Sequence, residues 1–329
     1  MFKQSERLFN TNISRAGSGR KKKNAFPIIA LIAFAALIYA LSSSVKSGAA
    51  NGGQPLLGAK AAILLDAATG EVLYEVNADE AMPPASMSKM MTELIVLEQI
   101  NGKHISWKDK VTISRYSAEV PGSQMGALEG ESYTVRELFD AVVIHSANDA
   151  AVALAEHISG SEEKFAALMN DRASKLQLSA NTYFANATGL NNADLIAFHE
   201  ASSSSNTMMT ASDAAKLAGY LIKKYPEVLE ISSRSSLKLE GLSKVLPATN
   251  QMLKGGSFYY PGNDGFKTGY TPEAGYCFTG TAIQDGRRLI SVVMGVGSSD
   301  QRFEDTAKLF KFGYNNKQAA IPLLTKWFN

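Results

Sequence analysis

Ser86 and Lys89 are the two residues of this sequence whose types and spacing most directly suggest nucleophilic chemistry. Positions i and i+3 of a helix lie on one face, with Cβ atoms about 5–6 Å apart, so the two side chains are neighbours. A serine hydroxyl becomes a good nucleophile when an adjacent base takes its proton. A lysine can be that base if burial or a second cation lowers its pKa. The pair therefore predicts a serine nucleophile with a lysine base.

The local sequence separates this pair from the other Ser-x-x-Lys matches in the chain. Pro83 and Pro84 favour an extended approach to the serine, and the apolar residues after Lys89 predict a buried helix. The other matches lie in the basic N-terminal segment, in a linker, beside two glutamates and in a polar serine-rich stretch, and they begin at Ser18, Ser43, Ser161 and Ser235. Only Ser86 combines an approach set by prolines with a predicted buried helix behind it. Ser86 is therefore the predicted nucleophile.

Two further short patterns follow in the chain and supply partners for this chemistry. Ser146-Ala147-Asn148 falls on a short turn between two predicted apolar helices, and Lys267-Thr268-Gly269 falls on a predicted strand. Each pattern alone is weak, because short patterns of this kind recur in polar loops. Together, in this order and in suitable local structure, they form the S-x-x-K, S-x-N, K-T-G signature of serine acyl-transferases that act on penicillins and D-alanyl peptides.

The sequence around these motifs resembles the serine-type D-alanyl-D-alanine carboxypeptidases, which are the low-molecular-mass penicillin-binding proteins. The matching stretches are 84–89, 146–151, 188–190, 264–271 and 274–276, within residues 58–315. The resemblance implies a β-lactamase/transpeptidase-like fold and a peptidoglycan stem peptide ending in D-Ala-D-Ala as the substrate. It also implies inhibition by β-lactams, and it requires no metal or cofactor.

The resemblance assigns a role to each residue of the three motifs. The expected catalytic residues are a nucleophile, a base and a relay that passes a proton to the leaving amine, namely Ser86, Lys89 and Ser146. The expected substrate-binding residues contact the substrate amide, the terminal carboxylate or the strand edge, and they are Asn148, Lys267, Thr268, Gly269, Tyr270 and Arg302. The N–H groups of Ser86 and Tyr270 would hold the oxyanion, and the charge of Lys267 would lower the pKa of Lys89.

Two features depart from the pattern of many members of this family. Many carry histidine directly after K-T-G, where this chain has Tyr270, although the backbone N–H needed there is retained. Many also continue into a β-rich C-terminal domain with an amphipathic membrane tail, whereas this sequence stops at residue 329. Membrane attachment is therefore expected from the N-terminal segment.

Three alternative functions stay open on the sequence alone. A β-lactamase of the same fold needs a base that drives water onto the acyl-enzyme, commonly a glutamate between the second and third motifs. Residues 186–206 offer Asp194 and Glu200 without a recognisable pattern, so slow release of penicillin is expected. A DD-endopeptidase would share all three motifs. A non-catalytic cell-wall-binding module would carry a degenerate site.

The elements that must position these motifs form one α/β mixed (α+β) domain over residues 58–315. Strands predicted at both ends of this range suggest one central antiparallel sheet flanked by helices, and they cover 61–66, 71–76, 264–269, 276–283 and 289–296. The middle lobe is mostly helical, with helices predicted at 149–158, 162–176 and 211–224. A last helix near 302–313 precedes a short tail, 316–329.

The N-terminal sequence predicts that this domain is exported. Residues 1–24 form a basic segment with seven basic residues and one acidic residue, and the uncharged run that follows lies within residues 25–42. This asymmetry predicts a cytoplasmic N-terminus, with 25–42 as a retained transmembrane anchor or as the h-region of a cleaved signal. Residues 43–57 predict a linker. The domain is expected outside the cytoplasm, at the bacterial cell membrane or secreted.

Composition argues against several other classes of protein. The chain has a single cysteine, Cys277, which excludes an internal disulfide, and its four scattered histidines fit no metal-binding spacing. The 33 Lys and Arg residues nearly balance the 31 Asp and Glu residues, and the basic excess is confined to the N-terminal segment. The exported body is mildly acidic, so no binding to nucleic acid is expected.

Overall fold

A computed structural model describes residues 53–201, 205–239 and 245–316 of the chain. The predicted basic segment, the predicted membrane or signal segment and most of the predicted linker lie outside these residues, as does nearly all of the predicted tail. Among the residues described, no helix is both long and apolar enough to cross a membrane. The N-terminal anchor therefore stays a prediction from the sequence.

Strands near both ends of the described chain flank a helical middle. The strands are β1 Ala61–Asp66, β2 Val72–Val76, β3 Lys110–Thr112, β4 Ser132–Thr134, β5 Ser236–Lys238, β6 Val245–Pro247, β7 Asn263–Thr271, β8 Gly275–Gln284 and β9 Arg287–Val296. The α-helices are α1 Lys89–Asn101, α2 Arg115–Glu119, α3 Val135–His145, α4 Asn148–Ser159, α5 Glu162–Lys175, α6 Asn192–Leu195, α7 Ala211–Lys224, α8 Val228–Ser232 and α9 Ser299–Asn315. A 3₁₀ turn, Ala85–Ser88, directly precedes α1.

The central sheet has five strands in the order β2-β1-β9-β8-β7, and every neighbouring pair is antiparallel. Side chains of β1 alternate between two hydrophobic clusters, because successive residues of a strand point to opposite faces. Ala61, Ile63 and Leu65 pack with the helical lobe, whereas Ala62 and Leu64 pack with residues of α9. Both faces of the sheet are covered, which explains why β1 is a continuous apolar run.

Two hairpin turns fix the order of the strands. Asp66 Oδ1 accepts hydrogen bonds from the N–H groups of Ala68 at 3.0 Å and Thr69 at 3.2 Å, which closes the turn between β1 and β2. Asp285 and Gly286 join β8 to β9 with φ values of 50° and 78°. Two consecutive residues with positive φ are what a two-residue type I′ hairpin requires. The predicted Asp-Gly turn is therefore present.

The helical lobe begins its helices where the sequence places capping residues. Thr134 and Glu137 form the predicted capping box at the start of α3, and Thr210 accepts from the N–H of Asp213 at the start of α7. These caps satisfy N–H groups that have no partner within the helix. The predicted fold, a central antiparallel sheet built from both ends of the domain around a helical middle lobe, is confirmed.

The structure also contains short elements that the sequence does not predict. β5 and β6 form a hairpin that packs against α3. The predicted long loop 186–206 contains α6, and Asn206 Oδ1 accepts from the N–H of Asn192 at 2.8 Å to fold the loop back on itself. Elements of three to five residues are too short to show periodicity in a sequence, and tertiary contacts stabilise them.

Candidate active site

Ser86 lies in the 3₁₀ turn, where the edge strand β7 meets the helical lobe. The residue before it, Ala85, has a φ of 48°, in the left-handed region that residues other than glycine seldom adopt. The backbone therefore turns sharply just before the serine. The α-helix itself begins at Lys89, three residues later. The predicted spacing still brings the side chains of Ser86 and Lys89 into contact.

Lys89 is fully buried, 0 % exposed, and its Nζ lies within hydrogen-bond distance of three oxygens. These are Ser86 Oγ at 2.8 Å, Asn148 Oδ1 at 2.6 Å and the Thr188 carbonyl oxygen at 2.8 Å. The amide and carbonyl oxygens can only accept, whereas the hydroxyl can also donate. A neutral amine has two N–H donors and one lone pair, so it satisfies all three contacts when the Ser86 hydroxyl donates to Nζ.

The surroundings of Lys89 favour this neutral form. Burial lowers the pKa of Lys89 well below its usual range, and the positive charge of Lys267 lowers it further. The carboxyl groups of Glu93, Asp149 and Glu162 act in the opposite direction. Both causes that the sequence suggests, burial and a second cation, therefore lower the pKa of Lys89, and burial is the larger of the two effects. A lysine with a depressed pKa can act as a general base.

Ser146 and Lys267 form a second contact of the site, which the sequence does not predict. Ser146 caps the end of α3 with φ 64° and ψ 29°, and Lys267 is buried within β7. Lys267 Nζ donates to Ser146 Oγ at 2.6 Å and to the Thr268 carbonyl at 3.3 Å. Burial lowers the pKa of Lys267 to about 8, with Glu93 opposing the decrease and Arg302 adding to it. This contact joins the sheet to the helical lobe.

Asn148, which the sequence analysis expects to orient the substrate amide, has both side-chain amide atoms engaged within the protein. Its Oδ1 accepts from Lys89 Nζ at 2.6 Å, and its Nδ2 donates to the Pro121 carbonyl at 2.6 Å. Its backbone N–H donates to the Ser123 carbonyl at 2.6 Å. In this arrangement Asn148 orients the lysine amine. Its contact with a substrate stays a prediction.

The rest of the third motif lies along β7. Thr268 Oγ1 is hydrogen-bonded to Thr249 Oγ1 at 2.7 Å. A Cβ on Gly269 would overlap the carbonyl oxygen of Pro84, so glycine here allows β7 to approach the 3₁₀ turn closely. The next residue along this edge strand is Tyr270, whose N–H the sequence argument expects to contact an oxyanion.

Arg302 reaches the same strand from α9. Its Nη1 donates to the Gly269 carbonyl at 3.3 Å, and its guanidinium carbon lies 5.3 Å from the centroid of the Tyr276 ring. Tyr276 stacks in turn on the half-exposed ring of Tyr270, with 4.3 Å between ring centroids. Burial lowers the pKa of Arg302 to about 10. Within the described part of the chain, Arg302 Nε has no hydrogen-bond partner.

Sequence reasoning missed the turn that supplies the third oxygen to Lys89. Asn186 Oδ1 accepts three hydrogen bonds at 2.7–3.1 Å, from the backbone N–H of Thr188, the Thr188 hydroxyl and the backbone N–H of Gly189. Asn186 Nδ2 donates to the Leu190 carbonyl at 2.9 Å. Gly189 has a φ of 78°, and a Cβ there would overlap the 3₁₀ turn. The stretch 188–190 was visible as a family match, but nothing in it signals a contact with the lysine.

Replacing Asn186 by alanine is expected to destabilise this turn and slow the chemistry at Ser86. The change leaves three buried donors without their acceptor, so we expect a loss of about 2–5 kcal/mol in the free energy of unfolding. Urea unfolding of the full chain measures this loss. The exposed Asn181 makes one long contact, 3.5 Å to the Asp79 carbonyl, so Asn181→Ala is the matched control. Equal stability of the two variants would contradict the role of Asn186.

The remaining candidates for reactive or metal-binding chemistry contribute nothing to this arrangement. In the ranges that the structure describes, no three His, Cys, Asp or Glu side chains are grouped closely enough to hold a metal ion. Cys277 is buried on β8, and burial raises the pKa of its thiol to about 11. A reactive thiol needs a lowered pKa instead. The candidate chemistry therefore rests on the serine and lysine residues of the three motifs.

Comparison with known proteins shows the family to which the chain belongs. The sequence model of the D-alanyl-D-alanine carboxypeptidase family matches residues 49–298. The chain is 38 % identical over 288 residues to D-alanyl-D-alanine carboxypeptidase DacF of Bacillus subtilis, covering 87 % of this chain and 69 % of that protein. Penicillin-binding protein D2 from Listeria monocytogenes, in its ampicillin-bound form, has a TM-score of 0.70 at 37 % identity, covering 80 % of this chain and 100 % of that chain. This chain belongs to the D-alanyl-D-alanine carboxypeptidase family.

Proposed function

We propose that this protein removes the terminal D-alanine from peptidoglycan stem peptides that end in D-Ala-D-Ala, through an acyl-enzyme on Ser86. Membership of the family supports the carboxypeptidase activity. The observation that carries the assignment of residues is the 2.8 Å contact between Ser86 Oγ and Nζ of the fully buried Lys89. A hydroxyl beside a lysine whose pKa burial lowers combines a nucleophile with its base.

In the first step, Ser86 Oγ attacks the carbonyl carbon of the penultimate D-alanine, and its proton passes to Lys89 Nζ. The two N–H donors of the neutral amine are engaged by Asn148 Oδ1 and the Thr188 carbonyl, so its lone pair is directed at the hydroxyl. The N–H groups of Ser86 and Tyr270 stabilise the oxyanion. Losing one such donor typically lowers the rate by about 10²–10³-fold.

In the second step, the C–N bond to the terminal D-alanine breaks, and the proton that Lys89 took from Ser86 passes through Ser146 to the leaving nitrogen. Lys267 Nζ, 2.6 Å from Ser146 Oγ, holds this hydroxyl in position. Lys267 and Thr268 bind the terminal carboxylate of the substrate, and Arg302 adds a further positive charge. Water then hydrolyses the ester and restores the free hydroxyl of Ser86.

The substrate class determines where the domain acts. Peptidoglycan lies outside the cytoplasm, so we infer an extracytoplasmic domain that residues 25–42 either anchor to the membrane or direct to export. The basic segment before this uncharged run supports that orientation. Penicillins are expected to acylate Ser86 and to leave it slowly, because Asp194 and Glu200 of the 186–206 loop fit no recognised deacylating pattern.

The test mixes the purified full chain with a synthetic peptide ending in D-Ala-D-Ala and quantifies free D-alanine, with a peptide ending in D-Ala-L-Ala as control. Release from the first peptide alone, together with stable labelling by a fluorescent penicillin, is the expected result. Labelling without release would indicate a DD-endopeptidase, which a cross-linked peptide dimer then tests. Rapid hydrolysis of penicillin would indicate a β-lactamase. Absence of labelling would leave a non-catalytic wall-binding module.

A further inference from the structure

Glu93 is a buried carboxyl group that the proposed mechanism does not use. It lies four residues after Lys89 on α1, and this spacing places two side chains on the same face of a helix. Its side chain is buried, with the residue 1 % exposed, and its Oε1 has no hydrogen-bond partner among the residues described. Burying a carboxyl group without a partner is costly, so its presence in a folded protein requires an explanation.

Two other carboxyl groups act on the base lysine, but protein donors already hold both of them. Asp149 accepts hydrogen bonds from the N–H groups of residues 125–127 at 2.9–3.2 Å. Glu162 accepts from the Tyr116 hydroxyl at 2.6 Å and from the Ala187 N–H at 3.0 Å. These two carboxyl groups hold loops in place, which is a sufficient structural reason for their burial. By contrast, no donor among the described residues holds Glu93 Oε1, so its burial lacks this explanation.

The charged groups that act on Glu93 come from two elements packed around the site. Lys89 belongs to α1 and Lys267 to β7, and both side chains are buried. Burial raises the pKa of Glu93 to about 7, while the two lysines oppose this rise. In return, the negative charge of Glu93 raises the pKa of both lysines. Burial lowers the pKa of both, and the positive charge of Arg302 also lowers the pKa of Lys267. Two buried like charges are stabilised by a nearby opposite charge.

We propose that Glu93 is the internal counter-ion of the Lys89–Lys267 pair, a positioning residue that acts on the reaction through the two lysines. Where its carboxyl group is ionised, its negative charge sets the pH interval in which Lys89 is neutral while Lys267 stays positive. The proposal rests on the proposed function in assigning a base to the first lysine and carboxylate binding to the second. Without the charge of Glu93, both lysines lose their protons at lower pH, because less negative charge then offsets their burial.

The experiment compares the full-length parent with E93Q across pH, using two independent readouts. The first is NMR of protein labelled with ¹³C at the lysine ε-carbon, with Lys267 and Lys89 assigned from the signal lost in a methionine variant of each. We expect the titration midpoint of both lysines to fall by about one pH unit or more in E93Q. The second is the rate of acylation by a fluorescent penicillin, whose acidic and alkaline limbs should both move to lower pH.

Two further variants separate the charge of Glu93 from its shape and its helix. Glu93→Met removes the charge while filling a similar volume, so it should shift the midpoints as E93Q does. Glu98→Gln is the matched control, because Glu98 lies on the same helix but pairs with Arg172 at 2.6 Å, and its loss should move neither midpoint. Unchanged midpoints in both Glu93 variants would overturn the proposal, even with a lower overall rate. A parent that penicillin does not acylate would contradict the proposed function, while the NMR midpoints would still decide the role of Glu93.

Discussion

Replacing Ser86 by alanine is expected to abolish both the release of D-alanine and the labelling by penicillin, because the hydroxyl is the atom that becomes acylated. Removing a serine nucleophile typically lowers kcat by at least about 10⁴-fold. The fold should be retained, since among the residues described the hydroxyl makes a single hydrogen bond, 2.8 Å to Lys89 Nζ, worth roughly 1 kcal/mol. Free D-alanine and the mass of the penicillin adduct are the two measurements, and urea unfolding verifies the fold.

Ser235→Ala is the matched control for this experiment. Ser235 and Lys238 repeat the Ser-x-x-Lys spacing, but both are exposed at the surface. Neither residue belongs to the buried site, so the control variant should keep the parent's full activity. A penicillin adduct on the Ser86→Ala protein would contradict the assignment, and peptide mapping of that adduct would identify the residue that carries it.

The reacting pair could be predicted from the sequence because its geometry is local. A spacing of three residues in a helical turn places Ser86 beside Lys89 whatever the rest of the chain does. The same holds for the hairpin turn at Asp285 and Gly286, where residue type alone permits the positive φ values. Local patterns of this kind were sufficient for the contact between Ser86 and Lys89, most of the longer helices and the strands of the central sheet.

The contacts between distant parts of the chain could not be predicted in this way. The Thr188 carbonyl meets Lys89 across 99 residues, and Lys267 meets Ser146 across 121 residues. A backbone carbonyl has no signature in the sequence. Glu93 resembles any polar position of an amphipathic helix until its burial is known. Contacts and burial of this kind depend on tertiary packing, which determines which side chains are removed from water.

The site contains two buried cations, whose positive charge suits the carboxylate of the proposed substrate. Lys267 and Arg302 are buried, and neither forms a direct ion pair with a carboxylate in the described part of the chain. A buried cation has lost its hydration, and hydrogen bonds to neutral protein oxygens replace only part of it. A substrate carboxylate would restore that loss through charge-assisted hydrogen bonds. The proposed binding of the terminal carboxylate thus uses buried cations that lack a direct ion pair in the described part of the chain.

Replacing Lys89 by methionine is expected to slow acylation of Ser86 by about 10²–10⁴-fold, the range typical of a lost general base. Methionine fills a similar volume but accepts no proton, so Ser86 keeps its own. Asn148 Oδ1 and the Thr188 carbonyl also lose their donor. The measurement is the rate constant for labelling by a fluorescent penicillin. Lys238→Met, in the exposed Ser-x-x-Lys match, should react at the parent's rate.

Lys89→Arg then separates a base from a fixed positive charge. Arginine keeps a cation and several donors at this position, but it does not lose its proton in proteins. If Lys89 accepts the proton of Ser86, the arginine variant should be as slow as the methionine variant. Parent acylation should also rise with pH as Lys89 loses its proton, whereas both variants should lack this rise. Substantial recovery of the rate by arginine would show that Lys89 acts by charge and hydrogen bonding alone, and would refute its role as the base.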